Sequence, residues 1–187
     1  MAFEFRPFDS LPEVILIEPK VSSDERGWFA ETYRKSEFVS HGVPFEFQQD
    51  NQSCSAASGI LRGLHFQKAP AAQGKLVRCV VGEVFDVAVD IRKGSPTYSK
   101  WVSTILSSNN HRMVWIPPGF AHGFLTLTSS TEVAYKVTSE YSAFYDRVIR
   151  WNDPTIAIKW PIDNPILSPK DMNARLLDEV DNNFIYK

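Results

Sequence analysis

Apolar residues in this chain come in short runs, broken at close intervals by Gly, Pro, Asn or Ser. No stretch keeps the spacing of a long amphipathic helix. The runs alternate or are continuously apolar, and they predict strands at 14–18, 28–33, 47–55, 60–66, 75–81, 83–91, 101–106, 113–116, 123–128 and 132–138. One short helix is predicted over 35–40. A second opens near Pro169, where Ser168, Pro169 and Asp171 read as N-cap, N1 proline and acidic N3 residue. The tail is therefore expected to be ordered and folded back on the strands. Ten short strands without a linker or repeat predict one domain over 1–187. Its fold class is all-β, a jelly-roll barrel of two packed antiparallel sheets with a few short helices.

Composition narrows the picture. Thirteen Phe, six Tyr and five Trp suit a two-sided β core, and a hydrophobic fraction of 43% fills it without disulfides. Twenty basic residues against twenty-two acidic ones give a net charge of −2. That argues against nucleic acid or a membrane surface as partner. The two cysteines, Cys54 and Cys79, sit in predicted strands and are expected to be free, mostly buried thiols of a reducing compartment. No apolar run approaches the about 18 residues of a membrane span, and no basic-then-apolar leader opens the chain. The expected location is cytoplasmic.

A barrel interior is apolar unless it has work to do, so polar groups on predicted strands are the candidates. In 83–91, Phe85, Val87, Val89 and Ile91 share one face and Val84, Asp86, Ala88 and Asp90 the other. Either the aspartates lie outward in solvent or Asp86 stands on a cavity wall, and composition favours the first. In 75–81, Lys75 shares a face with Val77, Cys79 and Val81; it is either a strand-end lysine in water or a cation aimed into a pocket. His65 sits within an apolar strand. Strict alternation puts Arg62 on its opposite face, but Gly63 between them can mark a bulge that re-aims one of the two. The turn Pro117-Pro118-Gly119 followed by His122 resembles the second half of the cupin signature. The His-x-His half is missing, since Phe66 and Gln67 follow His65, and only four histidines exist. No metal site is expected.

Eight segments, in order, carry a more specific likeness: Asp24–Phe29, Gln49–Ser53, Leu61–Gln67, Gln73–Cys79, Gly82–Arg92, Trp115–Phe124, Tyr135-Lys136 and Trp151–Pro154. Together they resemble the dTDP-4-dehydrorhamnose 3,5-epimerase family, metal-free cupin-like epimerases of nucleotide sugars. The resemblance implies an isomerase without metal or organic cofactor. It would act at C3 and C5 of a dTDP-linked 4-keto-6-deoxyhexose on the way to L-rhamnose, and form a homodimer that exchanges an N-terminal strand.

Inversion next to a ketone needs a base, an acid on the opposite face and a group that holds charge on the ketone oxygen. The resemblance makes His65 the base, paired with Asp171, and Tyr135 the acid. By periodicity alone, Tyr135 is a packed aromatic and Asp171 a helix-capping acid. Lys75 is implied for the enolate oxygen, with His122 beside it and Asp86 positioning a polar neighbour. Arg62 suits the diphosphate, with Arg26 as a second candidate from the partner subunit. Glu31, Gln49 and Asn51 suit the nucleotide end, and Tyr141 or Phe29 a stack on the base. Rival readings are a single-site epimerase of a related 4-keto sugar, a metal-dependent cupin oxygenase and a non-catalytic sugar-binding jelly roll.

Overall fold

The computed structural model describes residues 2–44 and 46–186. Its strands are β1 (Phe3–Phe8), β2 (Leu11–Pro19), β3 (Val21–Asp24), β4 (Gly27–Ala30), β5 (Gln49–Ser55), β6 (Leu61–Gln67), β7 (Lys75–Val81), β8 (Glu83–Asp90), β9 (Trp101–Ser107), β10 (Met113–Ile116), β11 (Phe120–Thr126), β12 (Thr131–Val137) and β13 (Asp146–Val148). The helices are α1 (Lys35–Ser40) and α2 (Pro169–Met172). A six-stranded sheet of order β1-β2-β10-β7-β12-β5 faces a five-stranded sheet of order β13-β6-β11-β8-β9. Within these two sheets the pairings are antiparallel. This is the expected jelly roll. The hairpin β3–β4 pairs only with itself.

Three apolar layers hold the chain together. Between the sheets lie Val77, Cys79, Val84, Ala88, Phe120, Phe124 and Val133, all nearly inaccessible. On the back of the five-stranded sheet, Leu64, Phe66, Val87, Val89 and Ile91 meet Ile149, Ile156, Ile158, Leu177 and Val180 of the C-terminal segment. On the back of the six-stranded sheet, Ile15, Ile17, Leu76 and Trp115 pack with Phe3 and Phe38. Burying one such side chain stabilises by about 1.5–3 kcal/mol. Both sheets are thus covered behind as well as between.

That second cover decides the face of β8. The C-terminal segment occupies the Val87–Val89 side, so Val84, Asp86 and Ala88 turn inward. The reading favoured by composition, with aspartates outward, is corrected. Other departures are local. The strand predicted over 28–33 stops at Ala30, in the self-paired hairpin. Val81 does not follow Val77 and Cys79 inward: β12 shifts register between Glu132 and Val133, which leaves Val81 exposed. Cys79 is buried as expected, but Cys54 is exposed on the sheet-edge strand β5. No described helix is long and apolar enough to cross a membrane.

Candidate active site

The pairing of β6 with β11 sets the site. His65 lies opposite His122 and Arg62 opposite Phe124, so Gly63 and Leu64 together face the single residue Gly123. This bulge returns Arg62 and His65 to one face, because His122 and Phe124 are two apart on an ordinary strand. Strict alternation, which separated them, is corrected. Gly63 makes the bulge feasible. Its φ is +125°, and a Cβ there would stand 2.6 Å from the Gly123 Cα.

Asp171 comes from the other end of the chain. α2 opens with the Ser168 side chain accepting from the Asp171 amide at 3.1 Å, and Ser168 Oγ donates back to Asp171 Oδ2 at 2.7 Å. The other oxygen, Oδ1, lies 2.6 Å from His65 Nε2. Asp171 is therefore both cap acid and imidazole partner. Burial alone would raise its carboxyl, but the hydrogen bonds and charge of His65, with Ser168 and the Gly63 amide, hold it below the usual carboxylate range. An ionised Asp171 accepts Nε2–H and leaves the His65 Nδ1 lone pair free to take a proton.

His65 opens onto a cavity of about 310 Å³ lined also by Gln49, Asn51, Lys75, Tyr135, Tyr141 and Asp146. His65 belongs to the five-stranded sheet, whereas Lys75 and Tyr135 belong to β7 and β12 of the six-stranded sheet. The imidazole and the phenol thus stand on opposite walls. Burial raises the Tyr135 hydroxyl pKa; Arg62 opposes this and Asp146 adds to it, so the phenol is a proton carrier at neutral pH.

Lys75 is 8% exposed, and its Nζ has one long hydrogen bond, 3.4 Å to the His65 carbonyl. No carboxylate among the described residues is in ion-pair contact with it. Burial lowers its pKa to about 8, against the opposing pull of Asp146 and Asp86. Behind it, His122 Nε2 lies 2.8 Å from Asp86 Oδ2, both buried. Burial drives the His122 pKa down; Asp86 opposes this, while Lys75 and His65 reinforce it. Among the described residues no three His, Cys, Asp or Glu side chains converge to hold a metal ion.

The sequence profile of the dTDP-4-dehydrorhamnose 3,5-epimerase family matches residues 9–179. This chain belongs to that family. It is 54% identical over 172 residues to the dTDP-4-dehydrorhamnose 3,5-epimerase of Shigella flexneri, covering 91% of this chain and 94% of that one. A crystal structure of a dTDP-6-deoxy-D-glucose-3,5-epimerase from Legionella pneumophila Philadelphia 1, in complex with dTDP-4-keto-L-rhamnose, superposes with a TM-score of 0.91. It is 46% identical, covering 96% of this chain and 95% of that one. The dTDP-4-dehydrorhamnose 3,5-epimerase of Bacillus anthracis, with TDP and PPi bound, gives 0.90 at 47% identity and coverage of 94% and 99%.

Within this epimerase chain, His65, Lys75, Tyr135, Gln49, Asn51 and Tyr141 line one cavity. Asp171, Asp86 and His122 stand directly behind them. Arg62 is on the His65 face, its guanidinium donating to Ser55 Oγ at 3.2 Å and to the Cys54 carbonyl at 3.1 Å. Arg26, Phe29 and Glu31 are not brought to the cavity. Arg26 is exposed and paired with Asp24 at 2.6 Å, Phe29 is 72% exposed, and Glu31 pairs with Arg34. Gln67, Gln73, Asp146 and Lys170 also line the cavity and were not anticipated. Gln67 shares its strand with His65 and Lys170 follows the N1 proline of α2, and neither position carries a chemical signal of its own. Asp146 sits on a three-residue strand with no apolar pattern to betray it.

Proposed function

We propose that this chain converts dTDP-4-dehydro-6-deoxy-D-glucose into dTDP-4-dehydro-L-rhamnose by inverting C3 and C5. The observation that carries the mechanism is the placement of an imidazole and a phenol on opposite sheets around one cavity. His65 removes the proton next to the ketone, and Asp171 holds the ring and balances the imidazolium. The electron pair moves to the C4 oxygen, where the spare N–H groups of Lys75 meet the growing charge. Tyr135 then delivers a proton to the opposite face of the carbon, and the ketone re-forms. Once His65 has released its proton to water and Tyr135 has taken one up, the cycle repeats at the second carbon. Asp86 fixes His122 beside this charge.

Arg62 takes the diphosphate, with Gln49 and Asn51 toward the nucleotide and Tyr141 stacked on the base. Arg26, Phe29 and Glu31 act in a second copy's site: the exposed β3–β4 hairpin, with Trp28 and Phe29 bare, suits an exchanged arm of a homodimer. The enzyme works in the cytoplasm without metal or organic cofactor.

Proton NMR of dTDP-4-keto-6-deoxyglucose with the enzyme in deuterium oxide tests this reading. Loss of both the C3 and C5 proton signals, with a product reducible to dTDP-L-rhamnose, is expected. Exchange at one carbon alone makes the chain a single-site epimerase, and exchange at neither overturns the reading.

A further inference from the structure

Asp146 has no part in the proposed proton transfers, yet among the described residues it is the one carboxylate that lines the cavity. It stands on β13 with its side chain 11% exposed, opposite Gln67 of β6. Tyr141 Oη donates to its Oδ2 at 3.1 Å, and Lys170 Nζ is in ion-pair contact with the same oxygen. Both donors line the cavity too. Across that cavity is Lys75, a buried ammonium without a contacting carboxylate.

We propose that Asp146 is a positioning residue for the reaction: its carboxylate is the counter-charge of the Lys75 ammonium across the cavity and ties Tyr141 and Lys170 into the same wall. The proposal rests on the reading of Lys75 as the cation for the enolate oxygen. Asp146 from β13, Asp86 from β8 and Lys170 from α2 act on that ammonium, and the other titratable groups around it are His65 from β6, His122 from β11, Tyr135 from β12 and Tyr141. Both carboxylates have nearer partners, Asp86 in His122 and Asp146 in Lys170 and Tyr141, and of the two Asp146 exerts the larger pull on Lys75. Contact is avoided for a reason. A carboxylate bonded to Nζ would occupy the donors the substrate oxygen needs, whereas one at longer range favours the charge and leaves the donors free. Asp146 also favours the protonated form of Tyr135, so one carboxylate biases both groups toward carrying their protons.

The test is the titration of Lys75 itself, followed by NMR of protein carrying 13C,15N-lysine, without substrate. In the wild type the midpoint is expected at about 8. Asp146→Asn should lower it by roughly one pH unit, and Asp146→Glu should restore it. Lys170→Met removes an opposing cation and frees the Asp146 charge, so it should move the midpoint upward; the fall in Asp146→Asn is the sign that loosened folding cannot give, because loosening would hydrate Lys75 and raise its midpoint. The alkaline limb of kcat should follow each shift. A midpoint unmoved in Asp146→Asn overturns the proposal. If that variant does not fold, an unmoved midpoint in Lys170→Met does so instead. Midpoints that shift as stated in a protein that exchanges neither the C3 nor the C5 proton support the electrostatic role while overturning the epimerase reading, so the two failures are distinguishable.

Discussion

Asp90 and Lys75 are both buried charges of the same barrel, and their surroundings differ in kind. Asp90 is fully buried and accepts from the Arg92 amide, Nε and Nη2 and from the Ser95 and Thr97 hydroxyls, at 2.6 to 2.9 Å. Arg92 continues to Glu13 and lies over the rings of Phe120 and Tyr186. Every lone pair of Asp90 is accounted for, and such saturation is how a buried charge becomes structural. Lys75 has one long hydrogen bond and donors to spare. A buried charge left unsaturated is costly, and the fold tolerates that cost where chemistry needs the donors.

Substitutions can break this contrast. The largest effect is expected from His65→Ala. Proton exchange at both C3 and C5 should fall by about 10²–10⁴-fold in the NMR assay, and a rate within threefold of wild type would remove His65 as the base. Lys75→Met should cost a similar factor in kcat and yet raise the melting temperature, because it deletes a buried charge that no carboxylate contacts, on the order of 1–3 kcal/mol unfavourable to folding. Asp90→Asn should do the reverse. It breaks a saturated buried network and should destabilise by about 3 kcal/mol, with kcat per folded molecule intact. If Lys75→Met and Asp90→Asn destabilise alike, the contrast is wrong.

Smaller effects sharpen it. Arg62→Ala should raise KM more than it lowers kcat, as a group binding the diphosphate in ground and transition states alike would; an unchanged KM would remove that role. The pH dependence of denaturation gives the last test. The Asp90 carboxyl is held below its ordinary value: burial would raise it, but Arg92, Ser95 and Thr97 outweigh that. Its contribution is therefore full above the unfolded pKa, near 4, and is lost as pH falls through the folded value. Lys75 is depressed from 10.5 to about 8. Between those values the unfolded chain binds more protons, so stability should rise with pH there. Urea titrations of Lys75→Met should lack that rise.

The sheets were legible where apolar runs were long enough to be buried on at least one side, as in Lys75–Val81 and Met113–Ile116. Strands without such a pattern escaped. Phe3–Phe8 includes Pro7, tolerated because β1 is an edge strand. Val21–Asp24 is almost wholly polar, and Asp146–Val148 has only three residues. Within the site, the Arg62–His65 relation depended on a bulge that Gly63 merely permitted. The side Asp86 faces depended on a C-terminal segment more than sixty residues away packing behind its strand. Asp146 and Lys170 are too far apart in sequence for any spacing rule to join them.

The carboxylate behind His65 also has a timing consequence. A chain made from its N-terminus emerges with β1 to β12, and with them His65, Lys75 and Tyr135, before residue 171 is added. A product of premature termination short of that residue lacks Leu177 and Val180 behind the five-stranded sheet as well as the carboxylate beside His65. The segment that seals the back of that sheet also carries the partner of His65, so closing the apolar cover and completing the proposed base are one event in the life of the chain.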